Sequence, residues 1–390
     1  MLLFCSIKCS IKKILFKFND IQGKNMNSKR IVIVTLFDDN NIGNRLQNYA
    51  LQQVLFKCGT DVTVLDNGYT TIPNLKTRIK ENIKGICGAI GNEKYNKDYQ
   101  NYISKKRKRK ANKKFDRNNI KKIVKVSNQQ AFNIDWSQYA MAVAGSDQIW
   151  HKWRNDEYEL PFYYLQFMPP EKRMAYAASF GFNELPSVDI SQHEQGMRGM
   201  KCISCREKSG CEIASNITRK RIQQVLDPTL LLTALEWREL EKNATVYARS
   251  QENYAFIYFL GEKTDEYMEY IKNVMKINKI DNIIDFSDIF NRHISECGPC
   301  GFLSLIDRAE YVFTDSFHCT VFSVLFEKRF KVFKRRQPGF ENMFGRIEDL
   351  LASKGKLENI YGGSAKKATN DFEKLYMESM QYIDSMLRDD

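Results

Sequence analysis

A chain of 390 residues with 43% hydrophobic content exceeds what one core usually spans, because single cores stop growing at about 250–300 residues, so two domains are expected. The net charge of +13 favours anionic partners such as phosphorylated metabolites, acidic glycans, lipid headgroups or nucleic acid. Ten cysteines spread over this length beside many lysines argue against a disulfide-stapled secreted scaffold and for reduced thiols in a cytoplasmic protein.

The opening MLLFCSIKCSIKKILFKF has lysines at 8, 12, 13 and 17, which interrupt any span long enough to cross a bilayer. Residues 1–28 therefore read as an extension outside the fold, with Met26 as the natural start; a basic helix lying on a membrane surface is the other reading. From Arg30 onward, apolar runs alternate with segments of helical period. RIVIVT, DVTVL, YAMAVAG, RMAYAAS, KCISCR and QVLDP precede residue 230, and YAFIYFL, NIIDF, EYVF and FKVF follow it. Continuous rather than alternating apolar runs suit strands covered on both faces, joined by helical crossovers, and so predict α/β architecture with parallel sheets. The polar stretch near Asn243 to Asn253 divides a first domain, 29–245, from a second, 250–390.

The run SKKRKRKANKKFDRNNIKK, residues 104–122, reads as a solvated helix face or an excursion from the first domain. Its functional reading is attraction to anionic lipid or polysaccharide carriers at a membrane surface. Nucleic acid is not expected, because only Tyr102 and Phe115 stand near the charges as stacking side chains.

In open parallel sheets, ligands bind beyond the carboxyl ends of the strands, where helix N-termini point unpaired N–H groups outward. Four polar clusters fall at such ends: Asn44 and Arg45 beside Gly43; Gly145, Ser146 and Asp147; Arg206 and Glu207; and Thr314, Asp315, Ser316 and His318. Taken singly, Asn44, Ser146, Asp147 and Ser316 are equally good helix caps, and Arg206 is equally an ion-pair partner of Glu207. Their recurrence at strand ends in both domains points to a cleft. His318 is the most specific of them. A helix N-terminus disfavours its charged form and a bound anion restores it, so the imidazole is poised to exchange a proton when a phosphate arrives. Cys202 and Cys205 stand three apart on a strand, on opposite faces, and cannot chelate one ion; no metal site is expected.

The segments IGNRLQNYALQ, AGSDQIW, ISCREKSG, DPTLLL, GPCGFLSLI and TDSFHCTVFS, in this order, resemble the polysaccharide pyruvyl transferase family from about Arg30 to about Leu357. The resemblance implies two Rossmann-like domains facing one cleft in a glycosyltransferase-B-like arrangement. It also implies transfer of pyruvate from phosphoenolpyruvate onto two sugar hydroxyls of a surface-polysaccharide precursor, in exopolysaccharide biosynthesis, with phosphoenolpyruvate as substrate and no cofactor. His318 matches the family's catalytic acid or base, and Arg206 its donor-binding arginine. Where several members carry an arginine two positions before the histidine, this chain has Ser316, so a second donor cation is expected from Lys334 or Arg335, with Thr314 and Ser316 beside the phosphate. Cys319 stands where many relatives have glycine, and Gly301 where the GPxEFL motif carries an acid. Asn44, Arg45, Gly145, Ser146 and Asp147 are then expected on the acceptor side. The partner is a glycan or lipid-linked glycan, and the location cytoplasmic with peripheral contact at the inner, anionic face of the membrane. Two other readings stay open: a glycosyltransferase of the same fold using a nucleotide-sugar, and an inactive anion- or glycan-binding member.

Overall fold

A computed structural model of the chain describes residues 28–38, 41–68, 93–153, 156–181, 184–186, 189–337 and 344–388; residues 1–27 of the expected N-terminal extension lie outside them. Seven strands form the first sheet: Arg30–Val34 (β1), Asp61–Asp66 (β2), Ile123–Lys125 (β3), Met141–Ala144 (β4), Arg173–Ala178 (β5), Cys202–Cys205 (β6) and Gln223–Gln224 (β7). Four form the second: Tyr254–Tyr258 (β8), Asn282–Asp285 (β9), Tyr311–Thr314 (β10) and Phe330–Val332 (β11). The orders are β3-β2-β1-β4-β5-β6-β7 and β11-β10-β8-β9, and every pairing is parallel. The helices are Ile42–Lys57 (α1), Glu93–Asn119 (α2), Glu159–Tyr163 (α3), Ile190–Met197 (α4), Lys208–Thr218 (α5), Ala234–Glu241 (α6), Val246–Arg249 (α7), Asp265–Asn278 (α8), Arg292–Arg308 (α9), Phe317–Leu325 (α10), Gly345–Ser353 (α11) and Phe372–Leu387 (α12).

The uninterrupted apolar runs are what two-sided burial requires: Ile31, Val32, Ile33 and Val34 of β1 are all buried between β2 and β4, with Ile31 opposite Val62 and Met141. In each sheet the order reverses once at the centre, between β1 and β4 and between β8 and β10. Those reversals open the crevices in which doubly wound sheets bind ligands.

Two segments refine the sequence reading. Of the two alternatives for the basic run 104–122, the helix face is found and the excursion is not: residues 104–119 belong to α2, which exposes Lys105, Lys106 and Lys110 but buries Ser104, Asn112, Phe115 and Asp116, and α2 lies against α9 of the second half, where Ala111 closes on Gly298. The final helix, expected within the second domain, returns to the first sheet. There Ser379 Oγ accepts from the Leu226 N–H at 2.8 Å and Tyr382 donates to the Ala175 carbonyl at 3.1 Å. One apolar cluster consequently runs through both halves, joining Leu46, Trp237, Ile306, Phe322 and Ile383. Trp237 packs edge-to-face on Phe322 with ring centroids 5.0 Å apart. Among the described residues, no helix is long and apolar enough to cross a membrane.

Candidate active site

Five strand ends supply the site, each held by local bonds. After β1, the Asn41 side chain caps α1 by accepting from the Asn44 N–H at 3.2 Å, which presents Gly43 and Asn44 at the crevice. After β4, Thr35 Oγ1 donates to the Ser146 carbonyl at 2.9 Å, and Asp147 takes a left-handed backbone, φ 82°, a conformation aspartate tolerates better than most side chains. The Asp147 carbonyl accepts from Ser179 N–H at 3.0 Å, just past an irregularity in β5 between Ala175 and Ala178. Arg206 follows β6 directly. After β7, Asp227 caps a short turn, accepting from the Thr229 N–H at 3.0 Å and the Thr229 hydroxyl at 2.6 Å. In the second half, Ser316 caps α10 and Asp315 accepts from the N–H groups of Leu260 and Gly261 at 2.7 and 2.8 Å, which fixes where Phe317 and His318 project.

These pieces converge on one carboxylate. Asp227 Oδ2 accepts from Ser146 Oγ at 2.8 Å and from Arg206 Nη1 at 2.9 Å, and stands 4.0 Å from His318 Nε2. Arg206 also faces Asp147 and Glu207, each at 3.6 Å, while Asn44 donates to Asp147. The Phe317 ring carries two guanidiniums, Arg206 at 4.8 Å and Arg346 of α11 at 5.4 Å from its centroid. The His318 ring lies on Gly43: a Cβ there would come within 2.7 Å of Cε1 and 2.9 Å of Cγ. His318 Nε2 and Arg346 Nε are buried with no hydrogen-bond partner.

Three buried carboxylates, Asp147, Asp227 and Glu207, thus meet two guanidiniums, and a protonated His318 would balance the set. Burial raises the Asp227 carboxyl, but Arg206, His318 and the bonds from Thr229 and Arg206 outweigh it and hold it at about 2. Asp147 is likewise lowered: burial opposes, and Arg206, His318 and Arg346 prevail. For Arg206, burial is overcome by Asp147, Asp227 and Glu207, which raise it further above the arginine range. His318 is lowered, first by burial and then by Arg206 and Arg346, against the pull of Asp227 and Asp147. Arg346 is lowered to about 10 by burial and by Arg206, with Asp147 and Glu207 opposing. The arrangement is therefore a neutral imidazole, poised to gain a proton, beside fixed guanidiniums.

Of the residues read from the sequence, His318, Arg206, Asn44, Ser146 and Asp147 come together here. The others do different work. Arg45 turns away into a buried ion pair with Asp116 at 3.0 Å, and Gly145 gives room to Leu51, whose Cδ2 would lie 2.7 Å from a Cβ there. Thr314 Oγ1 is tied to the Tyr258 carbonyl at 2.6 Å, and Ser316 serves as the cap. Arg335 faces Asp315 at 3.5 Å, and Lys334 lies over the Phe344 ring at 5.9 Å. Arg346, not Lys334 or Arg335, shares the Phe317 ring with Arg206. Asp227, Phe317 and Arg346 were not singled out by sequence; the DPT turn is a signal for Asp227, whereas Arg346 has none. The thiols of Cys297 and Cys300 are pushed up to about 11, chiefly by burial, and among the described residues no group of three His, Cys, Asp or Glu side chains is placed to hold a metal ion.

The family model described as polysaccharide pyruvyl transferase matches residues 41–334. Among solved structures, a protein described as a UDP-N-acetylglucosamine 2-epimerase from Listeria monocytogenes is similar at 10% identity and a TM-score of 0.43, over 92% of this chain and 89% of that one. An alpha-glucosyltransferase in complex with UDP-glucose and DNA containing an abasic site is similar at 10% identity and a TM-score of 0.43, over 93% and 95%. Likeness at that level carries nothing about substrate. No curated protein matches the sequence.

Proposed function

The chain belongs to the polysaccharide pyruvyl transferase family, and on that premise we propose that the site around Asp227 transfers pyruvate from phosphoenolpyruvate onto two hydroxyls of a sugar in a surface-polysaccharide precursor, as a ketal. The observation that carries the reading is the meeting of His318, from the second half, with Arg206, from the first, on one carboxylate at 4.0 and 2.9 Å.

The chemistry needs a proton on the methylene carbon of the donor while a sugar oxygen bonds to the neighbouring carbon. The first hydroxyl loses its proton as it attacks. Phosphate then departs with the electron pair of its C–O bond, and the second hydroxyl closes the ketal while its proton leaves with phosphate. An imidazole whose protonated form is disfavoured in the free protein and favoured by an arriving anion suits the first step. Arg206 and Arg346 supply planar donor forks for the donor's carboxylate and phosphate, and Asp227 holds Arg206 in place. The acceptor lies on the side of Asn44 and Asp147, and the reaction takes place at the cytoplasmic face of the membrane, where lipid-linked glycans are assembled.

Phosphate release from phosphoenolpyruvate, dependent on an added glycan and appearing with a ketal mass increment on that glycan, is the test. His318→Ala should abolish both without unfolding the protein. Turnover unchanged in that variant, or stabilisation by nucleotide-sugars but not by phosphoenolpyruvate, overturns the reading.

A further inference from the structure

Beside the His318 site, a second cavity of about 170 Å³ lies between the start of α1 at Ile42, residues 104–108 of α2 and the bend of α9 at Gly298. Ile42 precedes Gly43, on which His318 rests, so the two sites share a wall. The cavity is smaller than the roughly 300 Å³ at which ligand pockets usually begin, which leaves room for one sugar ring or its charged substituent.

Its chemistry is divided. Ile42, Phe286, Ile289 and Ile294 make apolar walls, and Lys105 and Lys108, three residues apart on α2, lie on one helix face. Ser104 is only 1% exposed and its Oγ has no hydrogen-bond partner, although buried hydroxyls are normally satisfied. Gly298 interrupts α9 with φ 61°, ψ −169°, and the helix restarts with Pro299 at its first position. The cavity therefore also adjoins a helix N-terminus, the positive end of its dipole. Burial holds the Lys108 amine below its usual range, with Asp38 opposing and Arg45 adding to the effect, so an anion beside it gains a partly desolvated cation.

We infer that this cavity is an acceptor subsite that takes a sugar bearing an anionic group, phosphate or carboxylate, with the anion between Ser104 and Lys108 and the ring against Ile42 and Phe286. The inference rests on the proposed function for the identity of the ligand as acceptor, but its binding is measurable without turnover.

Titration calorimetry of the full chain with glucose 6-phosphate, glucuronate, glucose and inorganic phosphate tests it. One of the two anionic sugars should bind at least tenfold more tightly than glucose and than phosphate, and the stronger of the two identifies the anion. Lys108→Gln and Ser104→Ala should each weaken that binding, Lys108→Gln by tenfold or more, with unchanged thermal unfolding. His318→Ala should leave it intact while losing the response to phosphoenolpyruvate, which separates failure of this subsite from failure of the proposed reaction. Equal binding of phosphate and sugar phosphate, no binding of either anionic sugar, or binding indifferent to both α2 variants overturns the inference.

Discussion

The His318 ring lies directly on the α-carbon side of Gly43, so close that a methyl group at residue 43 would stand 2.7 Å from Cε1. The two residues come from opposite halves of the chain, and the contact is possible only because residue 43 has no side chain. Gly43→Ala should displace the imidazole by roughly an ångström, and a misplacement of that size costs about a hundredfold in rate. Glycan-dependent phosphate release should fall by that order while the melting temperature moves little. Full activity would mean that the ring position is irrelevant to turnover.

Proton delivery by His318 gives the activity a pH limb with a defined sign. Burial, Arg206 and Arg346 lower the imidazole, whereas Asp227 and Asp147 raise it, so kcat/KM should fall as pH rises through a value below 6.5, the ordinary imidazole value. Donor anions raise that value, so the limb of kcat should lie at higher pH than the limb of kcat/KM. Asp147→Asn removes a group that raises the imidazole, and should move the kcat/KM limb to lower pH. A limb that stays put in that variant detaches it from His318.

Arg346 brings a second guanidinium to the ring that already carries Arg206. Arg346→Lys keeps the charge but loses the planar fork, and removal of one such electrostatic contact typically costs roughly a hundredfold to a thousandfold. We expect the donor's KM to rise and kcat to fall in Arg346→Lys, and further in Arg346→Ala. Kinetics indistinguishable from the parent would return the role of second cation to Lys334 or Arg335.

Much of the architecture is legible because its signals are local. Nine of the strands coincide with the apolar runs that predict them; β7, Gln223–Gln224, meets the run QVLDP only at Gln224, and β3 has no such run, since Ile123–Lys125 is three residues long, sits among lysines, and leaves Val124 40% exposed. His318 and Arg206 stand out for a similar reason, Arg206 following directly on a strand and His318 lying two residues past a cap. Arg346 does not, because only the packing of α11 against α10 carries it to Phe317. The run at 104–122 misleads because its charges are dense enough to hide a stripe. Ser104, Asn112, Phe115 and Asp116 recur at helical spacing on one face, and that face is buried.

Asp227 should also matter to stability. It is fully enclosed and bonded by Ser146, Thr229 and Arg206, so Asp227→Asn leaves Arg206 short of its nearest counter-charge. Breaking a buried pair in this way costs about 3–5 kcal/mol, measurable by denaturant unfolding at neutral pH. The sign of the pH dependence follows from its lowered pKa: the contribution is complete above the ordinary carboxyl value of 3.8 and is lost as pH falls towards about 2. The variant should lack that part of the acid dependence. A variant as stable as the parent at pH 7 would show that Asp147 and Glu207 suffice to hold Arg206.

A histidine that belongs to none of these site contacts sets a different pH dependence. His193 on α4 is buried, its Nδ1 is 2.6 Å from the Tyr164 hydroxyl, and its ring stands 5.3 Å from that of Phe180. Burial lowers it from 6.5 to about 4, with His151 and Lys152 adding to the effect and Asp189 opposing. The unfolded chain therefore binds a proton at mildly acid pH that the folded protein refuses. The resulting stability is fully present above 6.5 and is lost as pH falls through about 4, with a slope from this one group of at most about 1.4 kcal/mol per pH unit. His193→Gln keeps a polar partner for Tyr164 but cannot titrate, so urea unfolding between pH 7.5 and pH 4.5 should fall less steeply in the variant than in the parent. Parallel slopes would mean that the imidazole is protonated in the folded state, and that the Tyr164 contact holds a charged ring.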